Sequence, residues 1–263
     1  MNFTLKTGNY LNESSDLLIF TKFSDQPFSN ELKKIDRKIN RGLSRKSKDS
    51  DFKGEKGSLL SLDTVGSLKS KSIIVIGLGS KKDFTTSSCY RSFASAGRKL
   101  SANDKEIKLY YELPNKKNIL SSALEGLIQG SYVFNKYKTE NKKTGTKNVD
   151  VYSKTLNAQT FKRENNLAVE LSGAVKLARD VVNEPPLFLT PTKLAEISET
   201  VASEGNLEIK VFDKEKILKM KMGALYAVSR GSTQPPKFIH FTYTPRTKYS
   251  NTLAVVGKGI TFD

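Results

Sequence analysis

The chain has 263 residues, 37% hydrophobic and 9% aromatic, enough for one large domain or two ordinary ones with packed cores, which excludes wholesale disorder. Lys and Arg number 44 against 27 Asp and Glu, a net charge of +17, and the single histidine, His240, rules out a multi-histidine metal site and leaves a histidine-based triad one candidate. The one cysteine, Cys89, excludes an intrachain disulfide and fits a reducing compartment. The apolar run nearest the start, Leu17 to Phe20, is too short for a signal peptide or a membrane span, so a cytoplasmic protein with no membrane association is expected.

In chain order, "DLLIFTKF" (16–23), "KSIIVIGLG" (71–79) and "EIKLYYEL" (106–113) are short apolar, β-branched or aromatic runs that predict buried strands. Phe84 to Leu100 predicts a helix. From Ile119, the residues Ala123, Leu124, Leu127, Ile128 and Tyr132 recur at three- and four-residue steps, predicting an amphipathic helix to about Tyr137. This alternation predicts a largely parallel α/β sheet. Residues 1–150 hold 28 basic and 16 acidic side chains, and the other 113 hold 16 and 11, so most of the basic surplus lies in the first half. The run "KKIDRKINRGLSRKSK" (33–48) reads as a solvated helix face, or as the footprint of a nucleic acid.

The polar, glycine-containing stretch 139–148 predicts a loop, followed by a strand, "VDVYSK". In "NLAVELSGAVKLARDVV", Leu167, Leu171, Ala174, Ala178 and Val181 trace one helical face, and the helix must stop before Pro185 and Pro186. Thr190-Pro191 opens another helix, with the threonine as N-cap and the proline in the first turn. Then come a strand "LEIKVFD", a short helix "KEKILKM", and the strands "KFIHFTY" and "TLAVVG", with His240 expected packed and hydrogen-bonded in its strand. A domain boundary is expected near residue 155, dividing the chain into 1–155 and 156–263 with the long helix linking them.

Two glycine motifs invite a phosphate-binding reading. "GLGSKK" (77–82) lacks the third glycine of a dinucleotide fingerprint and reads as a tight turn after a strand. "GKGIT" (257–261) lacks the upstream glycine of a phosphate loop, and that reading fails.

Four stretches together, "ALEGLIQGSYVFNKYKT", "LARDVVNEPPLFLTPTKLAE", "MGALYAVSRGSTQPPKFIHFTY" and "VVGKGITFD", resemble the leucine aminopeptidase (cytosol aminopeptidase) family in order and spacing, strongly after residue 120 and weakly in the first 70. The resemblance implies an α/β fold: an N-terminal macrodomain-like domain, then the beginning of a catalytic α/β domain that binds two divalent metal ions, manganese or zinc. It implies removal of N-terminal amino acids from peptides, and a homo-hexamer. By motif position it makes Lys258 a ligand through its amine and Asp263 a bridging carboxylate. The family's remaining ligands and its second catalytic lysine would follow residue 263, so no catalytic residue is assigned within the chain and little activity is expected of it alone.

The residue types suit that chemistry. Neighbouring dications need bridging carboxylates and lower the pKa of a shared water. A lysine ligates only as the neutral amine, so the metal must displace its proton, while Gly257 and Gly259 would let the backbone turn tightly beside the ions. Without the family context, Lys258 reads as an exposed turn lysine and Asp263 as a cap. The rival reading is a basic module that grips nucleic acid or a nucleotide through its first half, with weak DNA binding and a vestigial catalytic half.

Overall fold

A computed structural model describes residues 1–139, 146–205, 207–247 and 251–261. The chain divides into two compact units, Met1–Ala178 and Arg179–Asp263.

The first unit is a three-layer α/β/α arrangement around a six-stranded sheet. Its strands are β1 (Asn2–Lys6), β2 (Ser15–Lys22), β3 (Leu59–Asp63), β4 (Ser70–Gly77), β5 (Glu106–Tyr110) and β6 (Asn148–Tyr152). The order across the sheet is β1-β6-β5-β2-β4-β3, parallel throughout except for β3, which runs antiparallel against β4 at one edge. The apolar runs that predicted strands form its centre: Leu18, Ile19, Phe20, Ile73, Val75 and Ile76 are buried. Continuous apolar runs are what a sheet covered on both faces requires.

One face packs under α1 (Asn30–Lys38) and α2 (Gly42–Asp49) through Leu32, Ile35 and Leu43; the other packs under α3 (Thr86–Lys99), α4 (Ile119–Gly130) and the first turns of α5 (Ala158–Asn183). The basic run 33–48 is therefore helical, as a solvated face predicts, but split. Asn40 and Arg41 adopt left-handed φ values of 52° and 59°, and the buried carboxylate of Asp36 caps the second helix by accepting from the Ser44 backbone N–H at 3.0 Å.

The helix predicted to reach Tyr137 ends at Gly130. Its glycines explain the pairing with α3. A Cβ on Gly130 would sit 2.2 Å from the Ala94 carbonyl oxygen, and one on Gly126 would sit 2.5 Å from that of Tyr90. The two helices approach backbone to backbone, which only glycine permits. Gly130→Ala gains helix propensity of about 1 kcal/mol but must push α3 away, and overpacking costs about 1–3 kcal/mol with backbone as the obstacle at the top of that range. Net destabilisation is expected, read as a lower denaturation midpoint at unchanged m-value; a midpoint raised by the substitution would contradict the crossing.

In α5 the structure corrects the predicted face. Phe161, Glu164, Ala168 and Ser172 are the buried positions, whereas Leu167 and Leu171 are 38% and 46% exposed. Period alone could not choose between two stripes with similar spacing, and a buried glutamate decided the outcome. The Glu164 carboxylate accepts from the backbone N–H and the hydroxyl of Ser121 at 3.3 and 2.9 Å, and from Arg163 at 3.1 Å. It thereby serves as the missing cap of α4, whose own N-cap residue, Asn118, is left-handed and makes no side-chain cap bond.

Burial works to raise the Glu164 pKa, but the hydrogen bonds from Ser121 and Arg163 outweigh it and hold the carboxyl below its ordinary value. A depressed carboxylate contributes stability that is present above its unfolded pKa and is lost as pH falls through the folded one. Glu164→Ala leaves the exposed Arg163 solvated but removes the charged acceptor from Ser121, and is expected to cost about 2 kcal/mol at neutral pH. The difference from wild type should shrink as pH falls below about 4; a difference independent of pH would contradict this role.

The second unit contains α6 (Pro191–Gly205), β7 (Glu208–Phe212), α7 (Lys214–Lys219), α8 (Gly223–Ser229) and β8 (Phe238–Thr242). β7 and β8 form an antiparallel pair, Glu208 opposite Thr242 and Phe212 opposite Phe238, against which α6 packs. Its buried apolar side chains are few, among them Leu189, Ala195, Ala202 and Ile217.

Candidate active site

The segment expected to hold the functional motif follows β8. The run "TLAVVG" does not form the predicted strand: residues 251–260 carry no ladder, and Leu253, Val255 and Val256 are 87%, 88% and 93% exposed. A β-branched run becomes a strand only when a neighbour accepts its hydrogen bonds, and no described strand lies alongside.

Lys258 is exposed within this segment, and Asp263 lies outside the described residues. A Cβ on Gly257 would meet nothing within 4 Å, one on Gly259 would meet only the Leu194 side chain at 3.7 Å, and neither residue adopts a left-handed φ, so no tight turn here depends on them. Upstream, the expected cap of α6 is present: the Lys193 N–H donates to the Thr190 hydroxyl at 3.2 Å. His240 lies on β8 opposite Lys210, but it is exposed rather than packed. The two-stranded sheet has too little beside it to cover that face.

The donors present fall short of a metal centre. Among the described residues, no three His, Cys, Asp or Glu side chains converge to hold an ion. One exposed amine does not enclose a dication, so no catalytic step is derived through a metal from these residues.

The "GLGSKK" turn is closed to a phosphate by groups from elsewhere in the first unit. Asp25 accepts from the Lys81 N–H at 3.0 Å and from the Ser80 hydroxyl at 3.0 Å, and the Gly79 N–H donates to Gly54 O at 2.9 Å. The donors a phosphate would need are taken. Several lysines of the basic half also serve the fold. Lys108 is buried and donates to the carbonyls of Tyr10 and Glu13 at 2.8 and 2.5 Å, and Lys22 donates to those of Phe23, Gln26 and Lys53 at 3.0, 3.1 and 2.6 Å. Burial pushes both amines below their ordinary pKa.

Comparison with known proteins decides the family. The profile described as "Cytosol aminopeptidase family, N-terminal domain" matches residues 18–141, and that described as "Cytosol aminopeptidase family, catalytic domain" matches residues 176–263. The chain belongs to the cytosol aminopeptidase family. It is 34% identical over 273 aligned residues to the "Probable cytosol aminopeptidase" of Sulfurihydrogenibium sp. (strain YO3AOP1), covering 100% of this chain and 53% of the relative. It is 35% identical to the protein of the same name from Aquifex aeolicus (strain VF5), over 90% of this chain and 48% of the relative.

The chain therefore spans about half the length of the curated family members it matches. In fold, it is similar to a mutant of tomato leucine aminopeptidase, with a TM-score of 0.82 at 24% identity over 96% of this chain and 52% of that one. It is also similar to the bottromycin maturation enzyme BotP in complex with Mn, with a TM-score of 0.67 at 19% identity over 89% of this chain and 46% of that one. The mixed α/β architecture is thus that of an aminopeptidase N-terminal domain followed by the beginning of a catalytic one.

Proposed function

We propose that the chain carries the N-terminal domain and the opening part of the catalytic domain of a metallo-aminopeptidase that removes N-terminal amino acids from peptides. The observation that carries this reading is the pair of matches, N-terminal then catalytic domain of one family, in order along the chain. The domains would be 1–155 and 156–263: residue 155 falls in the interval between the matched stretches, and α5 links them.

Lys258 and Asp263 are proposed as metal ligands, the first through its neutral amine, the second through its carboxylate. The exposure of Lys258 leaves its amine accessible to an ion held by further groups. Two divalent ions, manganese or zinc, are proposed on the strength of the family and of the manganese named for BotP. When bound, such ions supply Lewis acidity and a water of lowered pKa. A cytoplasmic location and a homo-hexamer complete the proposal; among the described residues no helix is long and apolar enough to cross a membrane.

The rival nucleic-acid module gains nothing from the relatives, and the amines of Lys22 and Lys108, part of the basic surplus on which it rested, already donate to backbone carbonyls of the fold. The test is hydrolysis of leucine p-nitroanilide by a protein extended to its relatives' length with the second half of the Sulfurihydrogenibium relative. Manganese-dependent turnover supports the reading, and a folded, metal-replete protein without turnover contradicts it.

A further inference from the structure

In open α/β sheets, ligands bind in crevices beyond the carboxyl ends of parallel strands. The first unit has a cavity of about 220 Å³ at that edge, between the segment that follows β5 and the segment that follows β6. That volume is below the range of drug-sized ligands and suits a small one. Its wall includes Tyr111, Lys116 and Lys117 from the β5–α4 connection, Leu120 from α4, Leu156, and the Arg163–Glu164 pair of α5.

Two features separate this cavity from an ordinary surface dent. Tyr111 is 2% exposed, yet its hydroxyl has no hydrogen-bond partner among the described residues. This ring lines the cavity, and its hydroxyl is left free to donate to whatever occupies it. The charges are also unbalanced. Glu164 is matched by Arg163 at 3.1 Å and by Ser121, whereas Lys116 and Lys117 are exposed and make no ion pair among the described residues. The wall therefore carries two unmatched positive charges beside an unused hydroxyl donor, and the apolar Leu120 and Leu156 complete it.

We propose that this cavity binds a small phosphate monoester, whose dianionic head meets Lys116, Lys117 and the Tyr111 hydroxyl while its organic part lies on Leu120 and Leu156. The two charges match a phosphate dianion, and the hydroxyl supplies a donor to a charged acceptor, the stronger kind of hydrogen bond. The site is built from residues of the first unit alone and does not depend on the aminopeptidase reading.

The test is calorimetric titration of the full chain with phenyl phosphate and with inorganic phosphate at low ionic strength, alongside Tyr111→Phe and the double variant Lys116→Met/Lys117→Met. Phenyl phosphate should bind more tightly than inorganic phosphate. Tyr111→Phe should weaken it roughly tenfold, the size of one hydrogen bond to a charged group, and the double variant should weaken it further and flatten its salt dependence. Because the hydroxyl has no protein partner, Tyr111→Phe should leave the thermal midpoint unchanged or raised without ligand, and should reduce the rise that phenyl phosphate produces. No binding at millimolar phenyl phosphate, or equal affinity in wild type and Tyr111→Phe, would overturn the proposal. A lowered midpoint in ligand-free Tyr111→Phe would also overturn it, by showing that the hydroxyl serves the fold.

Discussion

In a protein extended to the length of its relatives, Asp263→Ala and Lys258→Ala are each expected to reduce hydrolysis of leucine anilides to background while leaving the fold intact. Two dications a few ångströms apart repel strongly in a partly buried site, and a carboxylate between them offsets that repulsion. Removing Asp263 is therefore expected to lower metal content as well as turnover. A different effect is expected at Lys258, because an amine ligates only after losing its proton, which would make metal binding through it dependent on pH. Lys258→Ala should lose metal from one position, and it is not expected to be rescued by arginine, whose guanidinium stays charged. Near-normal activity of Asp263→Ala in metal-replete buffer would remove the assignment.

The 263-residue chain by itself is expected to show no turnover of aminoacyl anilides, with or without manganese or zinc. Among the described residues no cluster of three metal-binding side chains exists, and the segment bearing Lys258 is exposed and unpaired with any described strand. Affinity for dications grows with the number of anionic ligands converging on them. A single amine and one further carboxylate leave binding weak, and an exposed segment cannot exclude water or orient a peptide. Metal-dependent peptidase turnover by the purified chain would show that the described residues hold more of the active site than this account allows.

Most of the first unit was legible in the sequence because its signals are local. The runs around Ile19, Ile74 and Leu109 are apolar in unbroken stretches, and a sheet buried on both faces demands that pattern. The cap at Thr190 follows from groups three residues apart, and the turn after Gly77 is marked locally by Gly79, whose left-handed φ of 75° favours glycine.

What failed to show depends on distant partners. The run from Leu253 to Val256 reads as a strand from composition, but strandness is a relation to a neighbour, and none is described. The buried stripe of α5 was misassigned because Glu164 is polar; its burial rests on Ser121, forty-three residues away, needing an acceptor at the start of α4. The cavity around Tyr111 was equally invisible, since it joins the ends of two strands separated by a whole helix. Lys258 and Asp263 are proposed from motif resemblance alone, and no local physical signal marks them.

The most direct measurement is manganese titration followed by electron paramagnetic resonance on the extended protein and its Lys258→Ala and Asp263→Ala variants. The free-ion signal reports unbound manganese, so stoichiometry is read without reference to activity. Two ions are expected to bind per chain in the parent protein, with at least one lost or greatly weakened in each variant. Equal stoichiometry and affinity in all three proteins would contradict the placement of the metal site at this motif.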